Sequence, residues 1–340
     1  MSPRRFATPL LAMMLVLASC STVTSTFQSA PSPTPTPALR PVTLLLGFRP
    51  DVQFAPFYVA QQEGYFADAG LEVTIEHRDG PDVIRLVADG QAEFGVADAT
   101  DVMISRTSGI PIRYVSTLYA RFPVALIGSP DLVPAHPAEL AGLRIGTPGR
   151  YGSSWVALQA VLAAGGLTPD DVTIREYPAF NQVEGLLNGD VDLITGFRVN
   201  EPLQLQAQGF EVKLLTVDEV APLPGPGLVV GDDLLSSDRA IVADFARAVW
   251  RAQQAIAGNI DLGLQDAINE VPAIGEDRET ARAVLSATME LWKDGSGDVF
   301  AGIDVQVWAT GYQTMVDLRL IDGSAPLSEM YDDVWMHDLN

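Results

Sequence analysis

A short apolar strand, a helix and a second strand follow one another twice along this chain, and that βαβ rhythm limits the fold more than any other feature of the sequence. The first round starts in the apolar stretch 42–46 and passes through a helix that Pro56 opens and that stops near Gly64. It reaches an alternating strand at 71–75, then a helix at 82–89 closed by Gly90 and a strand at 94–97. Pro fits a first helical turn because its missing N–H would have no partner there, and Gly fits the stop. The second round is the strand 143–146, the helix 154–164 capped by Gly165 and Gly166, the strand 172–177, the helix 182–188 and the strand 193–195. Strands joined through helices pair in parallel and carry the helices on their faces. The expected class is α/β, with two units of parallel-rich sheet flanked by helices.

An internal echo supports two units. Ile84-x-x-Val87-x-x-Gly90-x-x-Glu93 matches Val183-x-x-Leu186-x-x-Gly189-x-x-Asp192, each reading as helix, glycine stop and buried strand. Any α/β chain can also repeat such a pattern by chance. From Leu228 the character changes, with one strand at 228–230 followed by mostly helical sequence. There Ser236 or Ser237 is expected to cap a helix whose Ile241, Phe245, Val249, Ala252 and Ile256 share one face. So late a strand should return to the first unit. The expected bounds are 42–122 with 223–340 for a first lobe and 123–222 for a second, with crossings near 118–127 and 217–228.

Ahead of this body, the single cysteine, Cys20, closes Leu17-Ala18-Ser19-Cys20 after an apolar run at 10–18 preceded by Arg4 and Arg5. The run falls well short of the roughly 20 apolar residues of a membrane span, and basic, apolar and small-residue regions in that order form an export signal. Residues 1–19 are therefore expected to be a lipoprotein signal peptide, with lipidation at Cys20. Residues 20–41, ending in alternating Pro from Pro31 to Pro37, read as an extended polyproline-type tether. This arrangement places the body on the extracytoplasmic face of the cell membrane, as a monomer. A formal charge of −22 excludes nucleic acid as a partner and leaves membrane contact to the acyl anchor. With no second cysteine, stability rests on core burial.

The run from Arg49 to Ala60, then Glu63-Gly64-Tyr65-Phe66, Gly70-Leu71-Glu72-Val73 and Leu143-Arg144-Ile145-Gly146, resembles the substrate-binding proteins of ABC importers. Within them it is most similar to the branch that holds thiamine-pyrimidine-precursor and riboflavin-binding members. The likeness covers about 42–230. It implies a two-lobed periplasmic-binding-protein (flytrap) fold with two hinge crossovers, ligand held in the inter-lobe cleft, delivery to an ABC permease in the membrane, and no cofactor. Pyrimidine binders of this branch usually carry Asp-Trp-x-Pro-Asn after the first strand, where this chain has Gly47-Phe48-Arg49-Pro50-Asp51. The stretch from Arg49 to Pro56 looks more like the riboflavin-binding members. Riboflavin is thus the first expectation, and a thiamine pyrimidine precursor (hydroxymethyl- or formylaminopyrimidine) the second.

Ligands of open α/β sheets collect outside the carboxyl ends of the strands, which names the loops to inspect. The first, 48–57, brings Phe48, Arg49, Asp51, Gln53 and Phe54 to the start of a helix, where free N–H groups also point outward. Flat heterocycles need apolar faces and a polar edge, and this loop holds both, although Phe54 and Phe57 also read as core. The second carries Tyr151, Ser153, Ser154 and Trp155 into a helix and lacks the lysine of a P-loop. Its amides and hydroxyls suit ligand oxygens, while one serine also suits an N-cap. Trp155 either stacks on a ring or pins the helix. The third group is the loop 98–101 with Asp98, Tyr119 with Arg121, and the loop 197–201 with Phe197, Asn200 and Glu201, whose amide and carboxylate match the donor–acceptor edge of a heterocycle.

Catalysis has little support. His77, His136 and His337 lack an acid and a nucleophile nearby and read as solvent-facing, and no His or Cys cluster has metal-ligand spacing. The branch is also similar to thiamine-pyrimidine synthases, but their cysteine-rich segment is absent here. A binding protein, not an enzyme, is expected.

Overall fold

The computed structural model describes residues 38–78 and 80–335; the expected signal peptide, Cys20, most of the expected tether and His337 lie outside the described residues. Ten strands occur among the described residues, falling into two five-stranded sheets. They are β1 (Arg40–Leu46), β2 (Leu71–His77), β3 (Phe94–Ala97), β4 (Ile112–Thr117), β5 (Val124–Gly128), β6 (Arg144–Thr147), β7 (Thr173–Glu176), β8 (Leu193–Phe197), β9 (Lys213–Thr216) and β10 (Gly227–Gly231). One sheet has the order β2-β1-β3-β10-β4 and the other β7-β6-β8-β5-β9. The two orders correspond strand for strand, so each βαβ round builds one sheet.

Both sheets are mixed. β1 pairs in parallel with β2 and β3, as β6 does with β7 and β8, while β10 and β5 run antiparallel to both of their neighbours. These two antiparallel strands are the ones delivered by the chain as it passes from one sheet to the other, through 118–123 and again through 217–226. A strand arriving from elsewhere is not fed by a crossover helix from its neighbour, so nothing imposes the parallel direction. The two passages run side by side: the amides of Leu118 and Tyr119 both donate to the Pro226 carbonyl, at 3.1 Å.

The internal echo has a structural cause. In the parallel ladder Leu44 is the first β1 residue opposite β3, and Ile145 the first of β6 opposite β8. The residue before each, Thr43 or Arg144, would be left with an unpaired N–H on that side. The Glu93 carboxylate accepts the Thr43 N–H at 2.8 Å, and Asp192 accepts that of Arg144 at 2.8 Å. Glycines at positive φ, Gly90 at 69° and Gly189 at 71°, end the preceding helices and turn the chain toward those acids.

β1 alternates its contacts, with Leu44 and Leu46 in one core and Leu45 in the core on the opposite face. On the first face Phe245, from the helix Arg239–Gly258, stacks on Phe94 at 3.8 Å and on Phe66 at 4.8 Å between ring centroids. The late helices therefore cover the first sheet, as the returning strand implied. Asp238, not Ser236 or Ser237, caps the long helix by accepting the Ile241 N–H at 3.3 Å. Both serine hydroxyls instead bond back to the Asp233 carbonyl and close a short preceding helix, Asp232–Ser237. The outer edge of β4 is also covered, since Tyr114 and Thr117 donate their amides to the carbonyls of Met330 and Ala301.

Candidate functional site

A cavity of about 670 Å³ is lined by the loops that follow β1, β3, β4, β6 and β8, the carboxyl ends of strands from both sheets. Its size suits a small-molecule ligand. Thirteen of the expected residues stand in its wall: Phe48, Arg49, Gln53, Phe54, Asp98, Tyr119, Tyr151, Ser153, Ser154, Trp155, Phe197, Asn200 and Glu201. Two do not. Asp51 turns its carboxylate back to accept the Gln53 N–H at 3.0 Å, capping the single turn Val52–Phe54 that aims Gln53 and Phe54. Arg121 is exposed on the first passage between the sheets, outside the cavity wall.

Each expected loop is held by a local device. Gln53 is 7% exposed and accepts the Tyr119 hydroxyl at 3.3 Å. Phe54 and Phe57 belong to the first core and at the same time touch the cavity, so the two readings of these rings coexist. The second loop enters its helix earlier than expected: Gly152–Ala164 starts at a glycine with φ 65°, its N-cap is Tyr151, and neither serine serves as cap. Ser153 instead engages the buried Asp98 carboxylate, and Ser154 lines the cavity. The Arg150 guanidinium covers the Trp155 ring at 5.1 Å and is held there by Glu176 at 3.1 Å. Arg49 similarly lies over Phe48 at 5.2 Å.

Glu201 is oriented by protein. One of its oxygens accepts the Phe197 amide at 2.8 Å and the other the Gln182 side chain at 3.1 Å. Burial pushes its carboxyl up to about 7, against the opposing pull of the Glu201 and Phe197 backbone amides and the Arg49 charge. Asp98 opens the helix Ala99–Thr107, with Asp101 one turn on, and both line the cavity. Burial raises both carboxyls, and the neighbouring Asp98 charge adds to the rise of Asp101, which reaches about 7.

Two wall residues, Asp101 and Arg150, lie within the expected loops without being singled out there, and others come from outside those loops. Asp101 is signalled by its position one helical turn after Asp98, and Arg150 by the loop it shares with Tyr151. Phe180 is 52% exposed with φ 56°, and its ring meets Phe48 edge-on at 6.0 Å, bridging the cavity from the second sheet's side to the first. Gln253 and Trp292 come from the late helical region, far along the chain. His77 is not solvent-facing: it is half-buried, with Nε2 3.2 Å from the Tyr58 hydroxyl and Nδ1 2.7 Å from the Phe48 carbonyl. It thus braces the first loop, and burial lowers its pKa. His136 is exposed.

Two lobes of mixed sheet with a polar and aromatic cavity between them form the two-lobed α/β fold of periplasmic binding proteins. The same fold occurs in the periplasmic aliphatic sulphonate binding protein SsuA of Escherichia coli, with TM-score 0.68 and 12% identity over 86% of this chain and 92% of that one. It occurs again in the nitrate-binding protein NrtA of Synechocystis PCC 6803, with TM-score 0.59 and 14% identity over 88% and 93%. The chain belongs to the NMT1/THI5-like family, whose profile matches residues 51–260. It is 33% identical to riboflavin-binding protein RibY of Chloroflexus aurantiacus over 84% of this chain and 83% of the relative. It is 27% identical to the formylaminopyrimidine-binding protein of Halalkalibacterium halodurans over 88% and 89%. A 4-amino-5-hydroxymethyl-2-methylpyrimidine phosphate synthase of Saccharomyces cerevisiae, THI13, is 22% identical over 69% of this chain. For the relatives named as binding proteins the small molecule is cargo and not a cofactor.

Proposed function

We propose that this protein is a lipid-anchored, extracytoplasmic binding protein that captures riboflavin between its lobes and hands it to an ABC permease, without catalysing a reaction. The observation that carries this reading is the 33% identity to a riboflavin-binding protein across more than four-fifths of both chains. The cavity supports it. Phe48, Tyr119 and Trp155 offer aromatic faces, and Gln53, Asn200 and Glu201 offer amides and a carboxylate for a polar edge. In this reading lobe 1 comprises 42–122 with 223–340 and lobe 2 comprises 123–222.

Titration of the tether-free body with riboflavin tests the ligand. Flavin emission should be quenched on binding, since electron-rich Tyr and Trp beside the ring open a non-radiative path. Replacing Trp155 by Ala should weaken binding by about one to two decades, the usual worth of one stacking partner. Unchanged emission and no heat of binding, together with tight binding of an aminopyrimidine, would transfer the assignment to the pyrimidine branch. The anchor has its own test. Cys20→Ser should release a soluble protein that still binds ligand, and persistent membrane association of that variant would reveal another anchor.

A further inference from the structure

Gln253 sits where an apolar residue belongs. The helix Arg239–Gly258 packs its buried face on the first sheet, and Ile241, Phe245 and Val249 form a row at intervals of four whose next member is Gln253. The residue is 1% exposed, yet it lines the cavity. Burying an amide there costs free energy unless both of its ends find partners. Its nitrogen has one, donating to the Leu118 carbonyl at 3.2 Å. A carbonyl only accepts, so that bond fixes the amide with its oxygen turned the other way. Among the described residues nothing donates to this oxygen, and protein atoms do not fully seal it.

Gln53 shows the complementary case. It is also buried in the cavity wall, its oxygen takes the Tyr119 hydroxyl, and its two N–H bonds have no protein partner among the described residues. Beside the Asp98 and Asp101 carboxyls, the wall supplied by the first sheet and its helices therefore presents an uncharged acceptor and an uncharged amide donor, both held by protein at their other ends. Glu201 and Asn200 are less suited to accept a ring N–H. Glu201 already takes a protein bond on each oxygen, and Asn200 is half-exposed, where water satisfies it.

We propose that Gln253 is a specificity-determining residue whose side-chain oxygen accepts the ring N–H of a flat, neutral heterocycle bearing an imide or lactam, while the Gln53 amide donates to a ring carbonyl. The proposal deepens the riboflavin reading and rests on it. An oxidised flavin ring carries one N–H, on its imide, flanked by two carbonyls, so a single acceptor and a nearby donor suffice to read that edge. A site built to accept that N–H rejects an analogue lacking it, because a buried acceptor is left unpaired.

The test compares riboflavin with riboflavin methylated on the imide nitrogen, by calorimetry on the native protein and on Gln253→Leu and Gln253→Met, two variants of similar volume. The native protein should prefer the unmethylated ligand at least tenfold. Both variants should bind riboflavin more weakly and lose that preference. Equal affinity of the native protein for the two flavins overturns the proposal with no variant needed. A preference fully retained in a folded Gln253 variant overturns it as well, while the riboflavin reading stands. Failure of the native protein to bind riboflavin at all refutes the functional reading, and this assignment falls with it.

Discussion

Asp101 shows how a single side chain couples the cavity to pH. Its carboxyl is raised from 3.8 to about 7, by burial first and by the charge of Asp98 second. A carboxyl with a folded value above its unfolded one binds its proton more tightly in the native state, so stability falls as pH rises between the two values. The contribution of Asp101 is thus complete below about pH 4, decays upward and is gone above about pH 7. Asp101→Asn, a permanent mimic of the neutral form, should match the native protein at pH 4 and exceed its Tm by about 2 °C at pH 8. Thermal melts of both proteins across that range decide it; a Tm difference that does not change with pH would show that ionisation of Asp101 is not its source.

At the scale of elements, the acids that precede β3 and β8 make each sheet depend on one side chain. Glu93 and Asp192 each take a strand amide that the ladder leaves unpaired. Removing the acceptor strands that amide, at about 1–3 kcal/mol. Glu93→Ala is expected to destabilise the body by about 1–2 kcal/mol in urea denaturation, with Glu93→Gln recovering part of the loss through its remaining oxygen. Two variants of equal stability to the native protein would mean that water serves the Thr43 amide equally well. Asp192 has a larger stake, because the Arg144 guanidinium also binds it at 2.6 Å.

On the scale of the whole molecule, two chain passages join the sheets and must carry any closure of the lobes. They touch so closely that a Cβ on Gly225 would lie 2.2 Å from the Tyr119 carbonyl oxygen, a backbone atom with little room to move. Gly225→Ala should therefore force the passages apart, shift Tyr119 in the cavity wall and weaken binding of the proposed riboflavin ligand by about tenfold or more, with little effect on secondary structure by circular dichroism. Small-angle scattering should also show a smaller compaction on ligand addition than in the native protein. Native affinity and native compaction in the variant would separate these passages from the closure motion.

The repeated βαβ grammar, the glycine stops and the return of the late strand could all be read along the chain, because each depends on neighbours a few residues away. Most of the cavity could be read as well, since the carboxyl ends of strands say which loops converge even when nothing says how. The direction of β5 and β10 could not, because it follows from passage between two sheets and not from local pattern. Nor could the fate of single polar residues in those loops: Asp51 and Glu201 are both acids beside a helix start, yet one turns back to cap a turn while the other stays in the wall. Phe180, Gln253 and Trp292 reach the cavity from segments remote from the expected loops. Sequence spacing determines which face of a helix is apolar; only the packing of that helix against the rest of the chain determines which gap in the face becomes a place for a ligand.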